Sequence, residues 1–203
     1  PNRVFVAENV KEKFTEKVVS RAKASLVGFD KNKDITTGPV IDKRACERIK
    51  GLIKDAVMNG AKLLVGGNRP KYLKKGYYIS PTVLCDVTEE MQVYQQETFG
   101  PIVSLISFSE ETNLLNMAND CDEGGLTAYI FTTNQSRAEF YASKLRYGEI
   151  QINGVKYDID LPHGGIGQSG IGHDCSSLAL QDYLIQKRIT CSNNTYELGK
   201  AIS

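Results

Sequence analysis

The sequence has few of the residues from which metal sites and disulfide frameworks are built. Its two histidines are too few for a three-histidine metal site, and neither lies in an H-x-x-x-H or H-E-x-x-H frame. Its five cysteines are odd in number, widely spaced and without a C-x-x-C pair, so we expect neither a disulfide framework nor a zinc site. We therefore predict no bound metal, packing or inert thiols, and a reducing, cytoplasmic setting.

The sequence also has no large excess of positive or negative charge and no long run of apolar residues. The chain has 25 Lys plus Arg against 24 Asp plus Glu, which argues against a nucleic-acid partner. Apolar stretches such as Pro101 to Phe108 fall far short of the ~20 residues that cross a bilayer, so we expect no membrane partner. The chain opens on Pro1-Asn2-Arg3 without Met, from which we expect a cut chain instead of a natural start.

With 203 residues, 41% of them hydrophobic, the chain is long enough to bury a core that needs neither disulfides nor a structural metal. Apolar spacing predicts a helix over 10–26 and a second helix between an Asp42 N-cap and Gly60. The second helix is expected to bury Ala45, Ile49, Leu52, Ile53, Ala56 and Val57.

Further helices are predicted at 110–121, at 136–145 and from about 176, with strands at 63–65, 102–108, 126–132, 149–153 and 187–191. Extended segments are predicted over 77–84, around Pro81. Nearly continuous apolar strands that alternate with amphipathic helices predict an α/β fold with a mainly parallel sheet flanked by helices.

Two segments are candidates for ligand contacts. Gly165 to Gly170 matches the G-x-G-x-x-G pyrophosphate pattern, but it follows its strand by about ten residues, and a loop forced through tight turns is the commoner explanation. Glu97 and Phe99 precede the most apolar strand at a Gly-Pro break. They could offer a carboxylate to two ribose hydroxyls and an apolar surface to a flat heterocycle, or Phe99 could be core and Glu97 solvated.

Both histidines flank the glycine-rich loop, where a packing or hydrogen-bonding role is more common than that of a general base. There is no G-x-S-x-G elbow for a nucleophilic serine.

Taken together, Glu97-Thr98-Phe99-Gly100-Pro101 and Pro162-His163-Gly164-Gly165-Ile166-Gly167-Gln168-Ser169-Gly170 resemble two signatures of the NAD(P)-dependent aldehyde dehydrogenases, in the family's order and separation. The stretch Gly148-Glu149-Ile150-Gln151-Ile152-Asn153 is similar to a further family landmark. The resemblance covers residues 1 to about 191, beyond which 192–203 is expected to be a polar tail.

This resemblance implies a cysteine thiolate that attacks the aldehyde, hydride transfer to the nicotinamide, and hydrolysis of the thioester by a glutamate-activated water. The family nucleophile lies a few residues before the position matched by Asn2, and its general base, oxyanion asparagine and cofactor domain lie further upstream. The chain is therefore expected to be the C-terminal catalytic-domain segment of such an enzyme, with no catalytic residue of its own and inactive alone.

Residue by residue, the resemblance implies that Glu97 binds the nicotinamide ribose and that Phe99 packs against the nicotinamide of NAD or NADP. It places His163 at the substrate pocket for a small-molecule aldehyde, with Gly164, Gly165 and Gly170 shaping the loop beneath. No cofactor is expected to bind tightly to this segment alone.

The stretch 188–191 resembles the family's C-terminal strand, which implies a homo-oligomer through edge pairing. The alternative is a non-catalytic α/β domain that serves protein association or oligomerisation and binds no dinucleotide.

Overall fold

The computed structural model describes residues 1–30, 34–109, 111–120 and 125–191. In chain order, its regular elements are β1 (Arg3–Ala7), α1 (Glu8–Ala24), α2 (Lys43–Met58), β2 (Lys62–Val65), β3 (Thr82–Cys85), α3 (Gln92–Gln95), β4 (Ile102–Phe108), α4 (Glu111–Asn119), β5 (Thr127–Ile130), α5 (Gln135–Lys144) and β6 (Glu149–Ile152). Two 3₁₀ helices follow, Gly167–Ser169 and Ser177–Tyr183.

The strands form a four-stranded sheet in the order β1-β4-β3-β2 and a two-stranded sheet of β5 and β6. In the larger sheet β4 runs parallel to both β1 and β3, with Arg3 opposite Ser104, whereas β2 is antiparallel to β3. In the smaller sheet β5 and β6 are parallel, with Thr127 opposite Glu149. The predicted mainly parallel α/β fold is confirmed, and its strands belong to two sheets.

Helices cover both faces of the larger sheet because its strands alternate apolar side chains between the two faces. On one face α2 and the region around α3 pack against Phe5, Leu84, Ile102 and Ile106. On the other face Val6, Val83 and Leu105 are buried beneath the C-terminal half of α1, which contributes Val18, Val19 and Ala22. In the N-terminal half of α1, Val10 and Phe14 stay exposed.

Helix α2 begins and ends where the sequence predicts. The Asp42 carboxylate accepts a hydrogen bond of 2.7 Å from the amide of Ala45, and Gly60 has a φ of +105° beyond the C-terminus. The buried face of α2 is rotated slightly from the predicted one. Val57, which was predicted to be buried, is 44% exposed, whereas Cys46 is 5% exposed. Cys46 lies three residues before Ile49, so it shares the face that meets the sheet.

The C-terminal region departs from prediction. The predicted last helix is a short 3₁₀ helix, and the predicted strand at 187–191 is wrong, since these residues form no strand. Residues 181–191 are all exposed, and a strand requires a neighbour to pair with its backbone. Residues 192–203 and Cys121 lie outside the described residues. No helix in the described ranges is long and apolar enough to cross a membrane.

An ion-pair cluster at the end of β3 ties α1 and β2 to the sheet. The Asp86 carboxylate pairs with Lys11 at 2.6 Å and with Lys62 at 2.8 Å, and it accepts a hydrogen bond of 3.4 Å from the Cys85 thiol. The hydrogen bonds from Lys11 and then Lys62 hold the pKa of Asp86 well below its usual range. Asp86 also has a left-handed backbone, with a φ of +59°.

We predict that Asp86→Asn lowers the stability of the chain at neutral pH by about 1 kcal/mol, or about 2–4 °C in Tm. Asparagine tolerates the left-handed backbone, so the loss reports the carboxylate. Because the pKa of Asp86 is depressed in the folded state, its contribution is present above the unfolded value of about 3.9 and fades as the pH falls below it. Thermal unfolding from pH 7 down to pH 3 measures this, with the exposed Asp160→Asn as control. Equal Tm values for wild type and Asp86→Asn at pH 7 would contradict it.

Candidate functional site

The segment that carries Glu97 and Phe99 lies at the amino end of β4, beside the amino end of β1. Asn2, just before β1, uses both ends of its side-chain amide to hold this segment. Its Nδ2 donates to the carbonyl of Gln96 at 2.8 Å, and its Oδ1 accepts from the amide of Thr98 at 2.9 Å. Because β1 and β4 are parallel and paired, the residues that precede the two strands lie side by side.

Arg48 holds the same segment from the α2 side. Its guanidinium donates to the carbonyl of Glu97 at 3.0 Å and to the carbonyl of Thr98 at 2.6 Å. A guanidinium presents several donors in a fixed plane, so one side chain can fix two successive peptide groups. Asn2 and Arg48 therefore restrain the backbone on both sides of residue 98, and we call these two side chains the backbone clamp.

The backbone clamp presents Phe99 to solvent in an unusual conformation. Phe99 has a φ of +38° and is 79% exposed, whereas the preceding Thr98 is 4% exposed. A bulky residue in the left-handed region costs about 1–3 kcal/mol and persists only where its surroundings impose it. The clamp thus fixes the backbone next to Phe99 at the amino end of β4, and the ring forms a flat apolar surface that is open to solvent.

The glycine-rich loop lies at the amino ends of β5 and β6. The amide of Ile166 donates to the carbonyl of Gly125 at 3.1 Å, and so does the amide of Gly148 at 2.9 Å. A side chain at Gly148 would collide with the carbonyl of Gly164, so this approach requires glycine. Gly170 ends the 3₁₀ turn with a φ of +121°. The backbone of the loop therefore lies against the residues just before β5 and β6.

His163 is held at this loop by its side chain and its backbone. Its Nδ1 lies 3.1 Å from Oε2 of Glu149, and its ring lies 5.7 Å from the ring of Tyr157. Its backbone amide donates to the carbonyl of Asp174 at 2.8 Å and its carbonyl accepts from the amide of Asp174 at 2.7 Å. The imidazole therefore has a defined orientation.

Glu149 gathers three donors on one face of the smaller sheet. Oε1 accepts from the amide nitrogen of Gln151, and Oε2 accepts from the Thr127 hydroxyl at 3.2 Å and faces His163. Gln151 lies two residues along the strand and Thr127 directly across it, so all point the same way. The hydrogen bond from Gln151, followed by those from His163 and Thr127, lowers the pKa of Glu149. The group is a carboxylate at neutral pH.

Arg3 links the start of β1, beside the Phe99 segment, to the residue that precedes β6 and the glycine-rich loop. Its guanidinium donates to the Met117, Ala118 and Asp120 carbonyls at the end of α4, at 2.8, 3.0 and 2.9 Å. It also donates to the hydroxyl of Tyr147 at 3.1 Å. Arg3 follows Asn2 of the backbone clamp and Tyr147 precedes Gly148, so contacts run from the Phe99 segment to the glycine-rich loop.

Sequence patterns predicted residues that contact a ligand, and they gave no sign of the groups that hold those residues in place. Asn2 appeared only as part of the opening stretch, Glu149 only as part of a family landmark, and Arg48 was not singled out. Arg48 lies next to the buried Ile49 on α2, and its partners are backbone carbonyls 49 and 50 residues away. A carbonyl is present in every residue, so no local pattern marks it as a partner.

The described residues include four cysteines. Cys46, Cys85, Cys175 and Cys191 are free thiols, and burial raises the pKa of Cys85. Within the ranges that the structure describes, no group of three or more His, Cys, Asp or Glu side chains could hold a metal ion.

Comparison with known proteins accounts for the two signatures. A model of the aldehyde dehydrogenase family matches residues 1–189. The chain belongs to the aldehyde dehydrogenase family. A curated family member, succinate-semialdehyde dehydrogenase (NADP+) 2 of Schizosaccharomyces pombe, is 37% identical over 190 residues, which are 93% of this chain and 38% of that protein.

Solved structures of the family agree with the fold. An aldehyde dehydrogenase from Brucella melitensis biovar abortus 2308 superposes with a TM-score of 0.84 at 37% identity, over 90% of this chain and 37% of that one. Betaine aldehyde dehydrogenase from Staphylococcus aureus, solved in complex with NAD+, gives a TM-score of 0.84 at 33% identity, over 96% of this chain and 40% of that one. The chain thus spans about two-fifths of the length of these family members.

We predict that Arg48→Met loosens the backbone around Thr98 without unfolding α2. Two hydrogen bonds from a charged donor are lost, so amide hydrogen exchange at Thr98 should accelerate roughly tenfold. Arg44→Met is the matched control, because Arg44 lies one turn earlier on the same helix and its side chain is 93% exposed. Unchanged exchange at Thr98 in Arg48→Met would show that the clamp does not depend on this guanidinium.

Proposed function

We propose that this chain is the C-terminal catalytic-domain segment of an aldehyde dehydrogenase that oxidises an aldehyde to a carboxylic acid with NAD or NADP. Residues 1–191 form this segment and 192–203 a polar tail. The nucleophilic cysteine, the general base, the oxyanion asparagine and the cofactor domain belong to an upstream part of a longer protein. The observation that carries the proposal is the exposed, left-handed Phe99 held by the backbone clamp.

Phe99 suits a role in cofactor orientation. A nicotinamide ring is flat, and an aromatic residue whose backbone is already fixed loses less conformational freedom when its ring packs against the nicotinamide. The backbone strain at φ +38° supports this role, because strain of this kind concentrates at functional sites. The bound cofactor supplies the acceptor for hydride, and Phe99 limits the positions that its ring can take.

Glu97 suits a ribose contact. It lies two residues before Phe99, is half-buried, and has its backbone carbonyl fixed by Arg48. An ionised carboxylate accepts hydrogen bonds through two oxygens, which matches two adjacent ribose hydroxyls. Contacts to ribose and nicotinamide from one short clamped segment would fix both the position and the tilt of the reacting ring.

The position of Asn2 supports an upstream nucleophile. Asn2 lies at the amino end of β1 and is hydrogen-bonded to the segment that precedes Phe99. Residues a few positions upstream of Asn2 therefore enter the molecule beside Phe99. In this arrangement His163 lines the aldehyde pocket, above a loop shaped by Gly164, Gly165 and Gly170.

Apolar side chains at the C-terminal end support association with further polypeptide. Tyr183, Leu184, Ile185 and Ile189 are between 70% and 97% exposed, which is unusual for large apolar residues that follow one another. We propose that 188–191 pairs with a second copy of the protein in a homo-oligomer. The same observation favours the alternative function, a non-catalytic association domain. A cytoplasmic setting also remains a proposal, and fractionation of the producing cells tests it.

We predict that the 203-residue chain alone forms no NAD(P)H from any aldehyde, whereas the longer protein with the upstream residues does. The reason is that the thiol which forms the thiohemiacetal is upstream. Absorbance at the NAD(P)H band measures both proteins side by side. Aldehyde-dependent NAD(P)H formation by the chain alone would overturn the segment proposal, and its absence from the longer protein would favour the association domain.

We predict that Glu97→Gln and Phe99→Ala in the longer protein each slow hydride transfer by about tenfold or more, because the nicotinamide is less well oriented. Single-turnover NAD(P)H formation measures the step directly. Phe29→Ala is the control for Phe99, since Phe29 is also about 80% exposed. Rates equal to wild type in both variants would remove the proposed cofactor role of this segment.

A further inference from the structure

The side chain of His163 is tied to a carboxylate, not packed only against apolar neighbours. The hydrogen bonds from Gln151 and Thr127 lower the pKa of Glu149, and the ordinary pKa of a glutamate already lies well below neutral, so Glu149 is a carboxylate at neutral pH. An ionised carboxylate has no hydrogen to donate, so the 3.1 Å contact between Oε2 and Nδ1 of His163 is a hydrogen bond donated by the imidazole. In the neutral ring Nδ1 therefore carries the hydrogen.

This assignment determines the properties of the other ring nitrogen. A neutral imidazole has one N–H and one lone pair, so a hydrogen on Nδ1 leaves Nε2 as an acceptor. The Tyr157 ring lies beside the imidazole, at 5.7 Å between ring centres, and the pairing with Asp174 fixes the main chain of His163. Rotation of the ring by 180° about the Cβ–Cγ bond would put Cδ2 in the place of Nδ1 and break the hydrogen bond to Glu149.

We propose that Glu149 is a positioning residue that fixes His163 with Nε2 as a hydrogen-bond acceptor, so that the pocket selects aldehydes whose distal end donates a hydrogen bond. This inference rests on the proposed function, which places His163 at the aldehyde pocket. The shared chemistry of the selected substrates is an O–H or N–H group at the end remote from the aldehyde.

Charge supports the same selection. A substrate carboxylate brings no donor to Nε2 and approaches the negative charge of Glu149 on the far side of the ring, which is unfavourable at this distance in a partly desolvated site. An unsubstituted alkyl chain leaves the Nε2 acceptor without a partner once water is expelled. A hydroxyl or an ammonium group satisfies it, and the ammonium is also attracted by Glu149.

Nitrogen-15 NMR of the imidazole rings tests the positioning role in the 203-residue chain itself. The sequence has two histidines, so His173→Gln assigns the signals. In slightly alkaline solution we expect His163 to be the Nδ1–H tautomer, opposite to the preference of a free histidine side chain. Thr127→Val should keep this tautomer, because Thr127 binds Glu149 and not His163. In Glu149→Val the Nε2–H form should become the major one.

The wild-type measurement needs no variant to fold, and an Nε2–H tautomer at His163 would overturn the proposal. Among the variants, a correctly folded Glu149→Val that keeps the Nδ1–H form would also overturn it. Thermal unfolding of each variant establishes that it is folded before its tautomer is compared.

Substrate selection is tested in the longer protein with hydroxypropanal, aminopropanal, propanal and succinic semialdehyde. We expect kcat/KM for the hydroxy and amino compounds to exceed that for propanal by about tenfold, mainly through KM, with the carboxylate below propanal. Glu149→Val and His163→Phe should both bring these ratios close to one. The hydroxy and amino arms distinguish a preference for any donor from a preference for positive charge.

The outcomes separate this inference from the proposed function. Oxidation of propanal without preference for a donor would overturn the inference and leave the dehydrogenase proposal intact. No oxidation of any aldehyde by the longer protein would remove the proposed function, and with it the pocket on which the inference rests.

Discussion

The position of the Phe99 segment relative to the glycine-rich loop depends on the hydrogen bonds that the Arg3 guanidinium donates. Its donors end on three carbonyls at the C-terminus of α4 and on the Tyr147 hydroxyl. Its Cζ atom also lies 5.0 Å from the centre of the Tyr94 ring and 5.6 Å from that of the Phe5 ring. A cation at a helix C-terminus is favoured by the helix dipole, and an aromatic face adds to its stabilisation. One side chain thus joins the larger sheet, α4 and the approach to β6.

A second link between α4 and the smaller sheet is formed by the side-chain amide of Asn119. Asn119, at the end of α4, donates to the carbonyl of Lys144 at 3.0 Å and accepts from the amide of Arg146 at 2.8 Å. These bonds satisfy backbone groups that the end of α5 leaves without helical partners. A two-stranded sheet is marginal by itself, and Arg3 and Asn119 attach β5 and β6 to the rest of the chain. The polar network around Glu149 is built on this attached sheet.

The site combines rigid support with exposed contact groups. Phe99 is exposed and strained, whereas its neighbour Thr98 is buried and held by Asn2 and Arg48. His163 is partly exposed, whereas its orientation is set by Glu149 and by backbone pairing. In both places a residue proposed to contact a ligand is held by hydrogen bonds from neighbouring groups. Such preorganisation reduces the entropy lost when a ligand binds.

Much of the secondary structure could be predicted from the sequence because it follows from local periodicity and end signals. The Asp42 cap, the Gly60 terminus and the apolar run of β4 all lie where the pattern places them. The stretch at 187–191 has the composition of a strand but forms none within this chain, because a strand also needs an edge to pair with. Local composition could not supply that neighbour.

The sequence by itself determined the alternation of strands and helices and the residues that a ligand could meet: Glu97, Phe99, His163 and the glycines. Only the tertiary structure decided how these residues are held. Asn2 and Thr98 are 96 positions apart, and Arg3 and Tyr147 are 144 apart. Which distant groups meet depends on strand order and register, and these result from packing of the whole chain, which no local pattern encodes.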